Sequence, residues 1–361
     1  MNASPDQEPC ADVCAVVVTY NPDADSVRAL LPALLAQAGR VVVVDNASAA
    51  DVGQWLPEGD DRIELVRRGQ NQGVAAAQNE GAARAMAWAA CRYLLFLDQD
   101  SLPAPHMVQR LREALLQEAD RAATLSQPAP VAAAGPQSMD IRTGEASMLI
   151  VEQWGWPGRW LPPRRPHPLP RNQAGSYDVS FLIASGSLVP VAVLRAIRGM
   201  RANYFIDHVD TEWCLRARAA GYRLLVVPDA TLHHRLGDSV KRLSILGRRV
   251  FYHAPLRDYY MFRNTLLMLG DVPMPVAWRL HLVIRLWLFA GYFLTLGDKR
   301  RERLAYMWLG IRHGLRRISG RLDTATRACD PVSFTDLDPA WHFAERPVLQ
   351  PPAGARAAPD P

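Results

Sequence analysis

The sequence predicts an α/β fold in which helices cover both faces of a mostly parallel sheet. The first hundred residues alternate short apolar, β-branched runs with segments of helical spacing. That alternation is typical of a parallel sheet whose strands are buried on both faces. Polar residues stand at the ends of three of the runs, at Asn21, Asp45 and Asp98. Because ligands bind at the carboxyl ends of parallel strands, we expect these residues to share one site.

The elements follow from the spacing of apolar residues. Short apolar runs bounded by turn residues predict strands at 13–19, 41–44, 63–66, 93–97, 181–189 and 224–227. Helical spacing predicts a helix at 25–38, which Gly39 ends, and an alanine-rich helix at 74–90. An amphipathic helix opens near Asp210, and helical patterns fill most of 248–315.

Length and composition are those of an ordinary globular protein. The 361 residues allow one large or two small domains, with 49% hydrophobic and 21% charged residues. The five cysteines are odd in number and scattered, which favours reduced thiols over a disulfide framework or a zinc site. The N-terminus carries no secretory signal pattern, so we expect a cytoplasmic protein. The Pro- and Ala-rich tail at 347–361 is expected to be disordered.

The net charge of +5 is concentrated in the C-terminal third. A basic segment of this kind serves anionic lipid or nucleic acid. The best membrane candidate is 276–297, but two arginines and a histidine interrupt it, and a spanning helix needs about 20 apolar residues. An interfacial helix and a buried amphipathic helix are the two interpretations. We expect peripheral association with the inner face of the cytoplasmic membrane and no nucleic-acid binding, because the arginines alternate with aliphatic runs.

Asp98-Gln99-Asp100 is the first acidic cluster, at the end of an apolar strand. Two carboxylates one residue apart at a strand end can hold Mg²⁺ or Mn²⁺ with positions left for diphosphate oxygens. The cation would neutralise charge on a departing diphosphate. The structural alternative is a polar turn in which Asp100 or Ser101 caps the next helix.

Asp207, Asp210 and Glu212 form the second acidic cluster, where a helix opens. A carboxylate at this place is suited to act as general base for a hydroxyl group. Acidic residues also favour the first turn of a helix through its dipole. Three carboxylates in six residues exceed what capping needs, so the catalytic interpretation is preferred.

Three further motifs have both a functional and a structural interpretation. Asp45 ends the second strand, where its carboxylate either accepts the N3–H of a pyrimidine or forms an Asx turn. Gly73 either allows a nucleotide to approach a helix N-terminus or is an ordinary helix start. His233 and His234, expected after the strand at 224–227 and a short turn, either bind a metal or phosphate or are structural.

Six motifs follow one another in order: VTYNP (18–22), VVDNAS (43–48), NQGVAAAQNEG (71–81), LDQDS (97–101), FIDHVDTEWCLRA (205–217) and HHRLGDS (233–239). Their order resembles that of the family-two inverting glycosyltransferases and, within them, the dTDP-L-rhamnosyltransferases. The resemblance implies a GT-A fold, a Rossmann-like domain at 12–245 with a nucleotide half at about 12–101 and an acceptor half at about 102–245. A basic, aromatic helical segment would follow at 246–325.

The resemblance also implies roles for individual residues. Asp210 would be the catalytic base, with Asp207 beside it and Glu212 orienting the acceptor. Asp100 and His234, the latter in preference to His233, would bind Mg²⁺ or Mn²⁺. Asp45 would bind thymine and Asp98 the nucleoside or sugar, within a nucleotide-binding set of Thr19, Tyr20, Asn21, Asp45, Asn46, Gln72, Gly73, Asn79, Asp98 and Gln99. The candidates for acceptor contacts are Gly186, Trp213 and Arg216.

The phrases FIDHVDTEW (205–213) and HAPLRDYYMFRN (253–264) most closely resemble the enzymes that add a second rhamnose in rhamnolipid synthesis. We therefore expect transfer of L-rhamnose from dTDP-L-rhamnose to a mono-rhamnolipid. One alternative is a rhamnosyltransferase of O-antigen or other surface polysaccharide assembly on a lipid carrier. The other is a non-catalytic dTDP-sugar-binding subunit, against which the intact carboxylates argue. The Trp-, Pro- and Arg-rich segment at 154–172 is expected to be a loop over the site that governs acceptor choice.

Overall fold

The computed structural model describes residues 8–124, 129–147, 149, 151–153, 156–158, 171–172, 175–234, 239–243 and 248–330. The strands are β1 (Cys10–Thr19), β2 (Ala38–Asp45), β3 (Ile63–Arg67), β4 (Tyr93–Asp98), β5 (Ser101–Pro103), β6 (Val131–Asp140), β7 (Val151–Gln153), β8 (Trp156–Gly158), β9 (Tyr177–Val179), β10 (Leu188–Pro190), β11 (Arg223–His234), β12 (Ser239–Leu243), β13 (Arg248–Tyr252), β14 (Arg321–Leu322) and β15 (Cys329–Asp330). The α-helices are α1 (Ala24–Leu35), α2 (Val74–Ala87), α3 (Met107–Thr124), α4 (Val191–Ile197), α5 (Val209–Ala219), α6 (Pro255–Asp271), α7 (Val276–Thr295) and α8 (Arg300–Leu315). Short 3₁₀ helices lie at Val52–Trp55 and Ala202–Tyr204.

The central sheet has the strand order β3-β2-β1-β4-β10-β6-β11-β5, and β9 also pairs with β11. β1 runs parallel to β2 and β4, β2 runs parallel to β3, and β6 runs parallel to β11. β10, β5 and β9 run antiparallel to their neighbours. The predicted α/β class with a mostly parallel sheet is confirmed. The carboxyl ends of β1, β2 and β4 meet at one edge of this sheet.

Strand β1 shows why a continuous apolar run was needed there. Its odd-numbered residues from 13 to 17 pack with α1 and α3, and its even-numbered residues from 14 to 18 pack with α2 on the other face. Successive side chains of a strand point to opposite faces, so a strand covered on both faces must be apolar throughout. Helix α2 lies close to this strand, because a Cβ on Gly81 would be 2.3 Å from Cγ1 of Val16. Small residues on α2 permit that approach.

Two predicted boundaries were wrong in the first part of the chain. The helix predicted at 25–38 ends at Leu35, and Gly39 lies within β2. A Cβ on Gly39 would lie 2.9 Å from the carbonyl oxygen of Ala11, so the glycine is explained by close contact with β1 and not by a helix end. Of the strand predicted at 181–189, only Leu188 and Val189 are extended, in β10.

Two predictions were also wrong further along. The strand predicted at 224–227 continues to His234, because β11 keeps pairing with β6 and β5 to its end. His233 and His234 therefore lie within a strand and not after a turn. The helical pattern predicted from 248 begins at Pro255, since 248–252 forms β13 paired with β12. Most of the predicted loop at 154–172 and the whole tail at 347–361 lie outside the described residues.

Helices α6, α7 and α8 follow the sheet. α6 packs against α8, and its side chains reach the carboxyl edge of the sheet. α7 has 20 residues, which at 1.5 Å per residue is about 30 Å. By length and composition alone α7 is able to cross a membrane. The buried residues of α7 are Trp278, Leu282 and Phe293.

Candidate active site

Asp45 joins the ends of β1 and β2. Its carboxylate accepts a hydrogen bond from Thr19 Oγ1 at 3.0 Å, one from the Ser48 N–H at 3.2 Å and one from the Ser48 hydroxyl. The next residue, Asn46, accepts the Gln72 N–H at 3.2 Å and so joins this edge to the start of α2. A carboxylate offers about four acceptor positions. Counted over the described residues, Asp45 therefore retains one acceptor position for the N–H of a ligand.

Gln99 joins the ends of β1 and β4. Its Oε1 accepts the Tyr20 N–H at 2.7 Å, and its Nε2 donates to the Tyr20 carbonyl at 3.3 Å. Asn21 has a positive φ of 46° and fixes the neighbouring loop, since its Oδ1 accepts the Ala49 N–H at 2.9 Å. The side chain of Tyr20 is 47% exposed at this edge. Tyr20 is thus open to a ligand, whereas Gln99 and Asn21 hold the edge together.

Helix α2 begins at the same edge, against the segment that precedes α5. Gly73 has a φ of 90°, and a Cβ there would lie 2.3 Å from the carbonyl oxygen of Phe205, so no larger residue fits. The Val74 N–H donates to that oxygen at 2.9 Å. Asn79 is buried in α2, and its amide bonds both the N–H and the carbonyl of Met200 at 2.8 Å. The predicted nucleotide contact of Asn79 is therefore corrected to an internal anchor.

Asp98, Asp100 and His234 form a group that could hold a metal ion, with one ligand atom of each within 4.8 Å of the others. Pairing of β11 with β5 sets His234 opposite Ser101. Nδ1 of His234 lies 2.8 Å from Ser101 Oγ and 3.5 Å from Asp100 Oδ1. Carboxylate and imidazole donors suit Mn²⁺, and carboxylates suit Mg²⁺.

The electrostatics of this group also fit a divalent cation. Burial raises the pKa of Asp98, and the neighbouring Asp100 carboxylate raises it further. A cation held between two such carboxylates would remove their repulsion. Ser185 and Ser101 connect the members of this group. The Asp98 N–H donates to Ser185 Oγ at 3.0 Å, and Ser185 Oγ lies 2.7 Å from Ser101 Oγ.

Asp210 lies in the first turn of α5, where its Oδ1 accepts the Thr211 N–H at 2.8 Å. Burial raises the pKa of Asp210 to about 6, and the negative charges of Asp98 and Asp207 act in the same direction. The positive charge of Arg285, from α7, opposes them. A carboxyl group whose pKa lies near the working pH is suited to accept a proton from a hydroxyl group.

Residues 14–194 match the model of the family described as glycosyl transferase family 2. The matched segment is half of the chain and runs from β1 into α4, so it includes Asp45, Asp98 and Asp100. The chain belongs to glycosyl transferase family 2. The protein is therefore a glycosyltransferase, and the strand ends described above belong to its catalytic domain.

This family 2 glycosyltransferase has relatives of known sequence or structure. It is 28% identical to the dTDP-rhamnosyl transferase RfbF of Shigella flexneri over 311 residues, which cover 86% of this chain and 97% of that protein. Its structure is similar to that of S. aureus TarS 1–349 in complex with UDP-GlcNAc, with a TM-score of 0.52, 13% identity and coverage of 84% of this chain and 81% of that chain. A longer S. aureus TarS structure matches with a TM-score of 0.51 and 13% identity over 82% of this chain, which spans 47% of that chain. Likeness at this identity shows the fold, which is GT-A-like.

In this glycosyltransferase Asp207 is paired with Arg257 of α6. Nε and Nη2 of Arg257 lie 2.6 and 2.5 Å from the two carboxylate oxygens of Asp207. Arg285 of α7 also acts electrostatically on Asp207 and Asp210. No catalytic role was predicted for either arginine, because the basic residues of this third were attributed to a lipid surface. Arg257 stands in the HAPLRDYYMFRN motif, but it lies 50 residues after its partner, so no local spacing relates the two.

Glu212 and Arg216 pair with each other inside the enzyme. Nε and Nη2 of Arg216 lie 2.9 and 2.8 Å from the Glu212 carboxylate, and Nε of Arg201 lies 3.1 Å from it. Burial acts to raise the pKa of Glu212, but Arg216 and Arg201 outweigh burial and lower it. The Glu212 side chain is 0% exposed, so it cannot touch an acceptor. The predicted acceptor roles of Glu212 and Arg216 are corrected to an ion pair that ties α5 to Gly199, whose carbonyl Arg216 also bonds at 3.0 Å.

The other two predicted acceptor residues also lie inside the fold. Trp213 is buried in the hydrophobic cluster that includes α2, and its indole N–H has no hydrogen-bond partner within the described ranges. Gly186 has a φ of 87°, and a Cβ there would lie 2.7 Å from Pro136 Cγ. Gly186 is therefore explained by a close turn beside β6, and Trp213 by packing.

Proposed function

We propose that this protein transfers L-rhamnose from dTDP-L-rhamnose to a hydroxyl group of a lipid-borne acceptor, with inversion at the anomeric carbon. The match to a dTDP-rhamnosyl transferase along 97% of that protein's length supports the donor. The observation that carries the proposal is the environment of Asp210. Its carboxyl group lies in the first turn of α5 and has a pKa of about 6, which the negative charge of Asp98 helps to raise.

Asp210 accepts the proton of the acceptor hydroxyl while the hydroxyl oxygen forms a bond to the anomeric carbon. The bond from that carbon to the diphosphate oxygen breaks on the opposite face, and dTDP leaves with the electron pair. The carbon therefore inverts, so a β-linked donor gives an α-linked product. Arg285 favours the ionised form of Asp210, and Arg257 neutralises Asp207 beside it.

Asp100 and His234, with Asp98 beside them, would hold Mg²⁺ or Mn²⁺. The bound cation supplies neutralisation of the charge that develops on the departing dTDP. At the neighbouring strand end, the remaining acceptor position of Asp45 suits the N3–H of thymine. Asp98, at the end of β4, is suited to bind the ribose or the sugar.

The surface of α7 supports an acceptor that is carried on lipid. Six apolar side chains, here called the α7 stripe, recur every three or four residues and are exposed: Val276, Leu280, Val283, Ile284, Trp287 and Leu288. Trp287 is 74% exposed and Leu288 is 70% exposed. A contiguous apolar face of this kind marks a site of association with protein or membrane.

The charges around the α7 stripe favour a membrane over a protein partner. Arg279 lies on the same exposed face, and Lys299, Arg300 and Arg301 are exposed just beyond the end of α7. An apolar face edged by cations is complementary to the interface of an anionic bilayer. We therefore infer that the three helices α6, α7 and α8 face the inner surface of the cytoplasmic membrane and that the GT-A domain works beside them.

Two lipid-borne acceptors fit these features. The first is a mono-rhamnolipid, which would become a di-rhamnolipid. The second is a rhamnosyl unit on a lipid carrier in the assembly of O-antigen or another surface polysaccharide. The match to the Shigella flexneri dTDP-rhamnosyl transferase, which covers 86% of this chain, supports the donor that both candidates share and applies equally to the two acceptors.

The deciding experiment offers both acceptors in parallel to the purified protein with dTDP-L-rhamnose and Mg²⁺. We expect rhamnosyl transfer to one of them, abolished by EDTA and restored by Mg²⁺ or Mn²⁺. Product from mono-rhamnolipid alone would establish the glycolipid acceptor, and product from the carrier-linked unit alone would establish the second candidate. Tight dTDP binding without transfer to either acceptor would contradict the proposal and favour a non-catalytic dTDP-sugar-binding subunit.

Sedimentation with lipid vesicles tests the membrane proposal separately. We expect the wild type to bind phosphatidylglycerol vesicles more strongly than phosphatidylcholine vesicles. A Trp287→Ser, Leu288→Ser double variant should lose most of this binding. Ile141→Ser is the matched control, since Ile141 is also exposed, at 54%, but lies far from α7 in the chain. Equal binding by all three proteins would refute the assignment of the α7 stripe.

A further inference from the structure

The turn that leads into the catalytic helix has an unfavourable backbone conformation. Phe205, Asp207 and His208 have positive φ values of 68°, 62° and 60°. The Ile206 N–H bonds the Tyr204 carbonyl at 2.8 Å across Phe205, whose φ and ψ are 68° and −65°. This is the γ-turn geometry that is rare and strained. Residues other than glycine keep such a conformation only where the surrounding structure holds it.

Asn264 of α6 is the residue that binds most of this turn. Its Nδ2 lies 3.0 Å from the Tyr204 carbonyl oxygen, 2.8 Å from that of Ile206 and 2.9 Å from that of Asp207. Asn264 is 0% exposed. Its two N–H protons are thus shared among three carbonyl oxygens. Because Asn264 is buried, water cannot replace these hydrogen bonds.

Other α6 side chains bind the same segment. Arg263 Nη2 donates to the Tyr204 carbonyl at 2.8 Å, and Thr265 Oγ1 lies 3.0 Å from His208 Nε2. The ring of Tyr260 stacks on that of Phe205 with 5.1 Å between centroids. Arg257 of the same helix pairs with Asp207. Side chains of α6 therefore contact every residue from 204 to 208.

The same turn also touches the donor side of the enzyme. The Phe205 carbonyl accepts the Val74 N–H at 2.9 Å, and Gly73 lacks the Cβ that would collide with it. The turn therefore lies between the start of α2 and the start of α5. A shift of the turn would move Asp210 relative to the strand ends that hold the nucleotide.

We propose that Asn264 is a positioning residue for the catalytic base: by holding the strained turn at 204–208, it fixes the place of Asp210 relative to the donor site. The inference rests on the proposed function, since it assumes that Asp210 is the base. Asn264 need not touch a substrate, and its effect should appear in the rate of the chemical step and not in donor binding.

The test is the kinetics of Asn264→Ala in the full-length protein, with dTDP-L-rhamnose and the better acceptor. We expect kcat to fall by about 10²-fold, as displacements near 1 Å at a reacting centre do. The donor KM and the affinity for dTDP should stay within about threefold of the wild-type values, well below that loss. The matched control is Tyr259→Phe, since Tyr259 is equally buried on α6 and its hydroxyl lies 2.9 Å from His313 Nδ1 and 3.0 Å from Cys329 Sγ. The hydroxyl also accepts a hydrogen bond from Arg263 Nη1 at 3.3 Å, but Nη1 keeps its bond to the Gly320 carbonyl, and it is Nη2 that bonds the turn.

The two variants separate positioning from general stability. If both lose thermal stability to a similar degree and only Asn264→Ala loses kcat, the proposal holds. If kcat falls equally in both, or if Asn264→Ala changes the donor KM and leaves kcat intact, it is refuted. Should Asn264→Ala fail to fold, Thr265→Val is judged by the same division between kcat and KM. Failure of the proposed function would be distinct, because the wild type itself would then transfer no rhamnose.

Discussion

The ends of β1, β2 and β4, here called the donor edge, and the proposed catalytic base Asp210 are held in place by different parts of the chain. At the donor edge, Thr19 bonds Asp45 and Gln99 bonds Tyr20, so residues at the ends of neighbouring strands bind each other. Around the base, Arg257 of α6 pairs with Asp207, and Arg285 of α7 acts electrostatically on Asp207 and Asp210. Both helices follow much later in the chain. The donor edge is therefore a property of the sheet, whereas the base depends on how α6 and α7 dock against it.

This difference predicts different consequences of substitution. A change at the donor edge should alter nucleotide affinity and leave the remainder of the molecule intact. A change around the base should alter the rate, or the stability of the α5 region, while dTDP still binds. The experiments below test this separation, from the largest expected effect to the smallest.

Replacing the base should have the largest effect. Asp210→Asn keeps the shape of the side chain and the hydrogen bond to Thr211 but removes the proton acceptor. We expect kcat to fall by about 10²–10⁴-fold, the usual contribution of a general base, with dTDP affinity unchanged by calorimetry. A near-wild-type kcat for Asp210→Asn would show that Asp210 is not the base, and the contrast between the donor edge and the base would then no longer hold.

Glu212→Ala should act on stability and not on chemistry. The substitution removes the buried carboxylate that pairs with Arg216 and leaves the bonds of Arg216 to the carbonyls of Ile197 and Gly199. Breaking a buried pair from one side costs about 3–5 kcal/mol, so the free energy of unfolding in urea should fall by that amount. Asp178→Ala is the control, since Asp178 pairs with Arg223 at 2.8 Å but is half exposed, and its loss should be small. Equal losses of unfolding free energy in the two variants would mean that burial does not determine how much the Glu212–Arg216 pair contributes to stability.

The sequence predicted the donor edge well because its residues follow one another locally. Asp45 and Asp98 each come directly after an apolar run, Asp100 follows two residues later, and the carboxyl ends of parallel strands must meet. His234 lies beside Asp98 and Asp100, although its strand was predicted to end at residue 227. Continued pairing of β11 with β5, a contact between segments about 130 residues apart, decides the position of His234.

The surroundings of the base could not be predicted in the same way. Asn264 and Arg257 act on residues more than 45 positions earlier, and no periodicity relates the two segments. The charges of Glu212 and Arg216 also led to a wrong prediction. Both were predicted to contact the acceptor, but they lie four residues apart on α5 and neutralise each other inside the fold. Burial decides which charged residues contact a substrate, and burial of a charged side chain is a tertiary property.

Asn79→Ala tests the corrected part of the donor edge. Because the Asn79 amide bonds Met200 inside the protein, its removal leaves a buried N–H and a buried carbonyl without partners. We expect the free energy of unfolding to fall by about 1–3 kcal/mol and dTDP affinity to stay unchanged. Weaker dTDP binding with unchanged stability would restore Asn79 as a nucleotide contact. Asn46→Ala, at the edge itself, is the comparison in which affinity should change.

The smallest effect is the pH dependence of turnover, which reports on the base alone when donor and acceptor are saturating. Burial raises the pKa of Asp210 from 3.8 to about 6, so protons compete for the base well above the range of an ordinary aspartate. Below about pH 6 the carboxyl group is protonated and cannot accept the hydroxyl proton, and kcat should fall about tenfold for each unit of pH. Measurements of kcat from pH 5 to 8 would show this limb. Enzyme held at pH 5 and assayed at pH 7.5 should recover full activity, which separates titration from unfolding. A kcat that stays constant down to pH 5 would mean that the base is an ordinary exposed carboxylate, and that the docking of α6 and α7 does not create its environment.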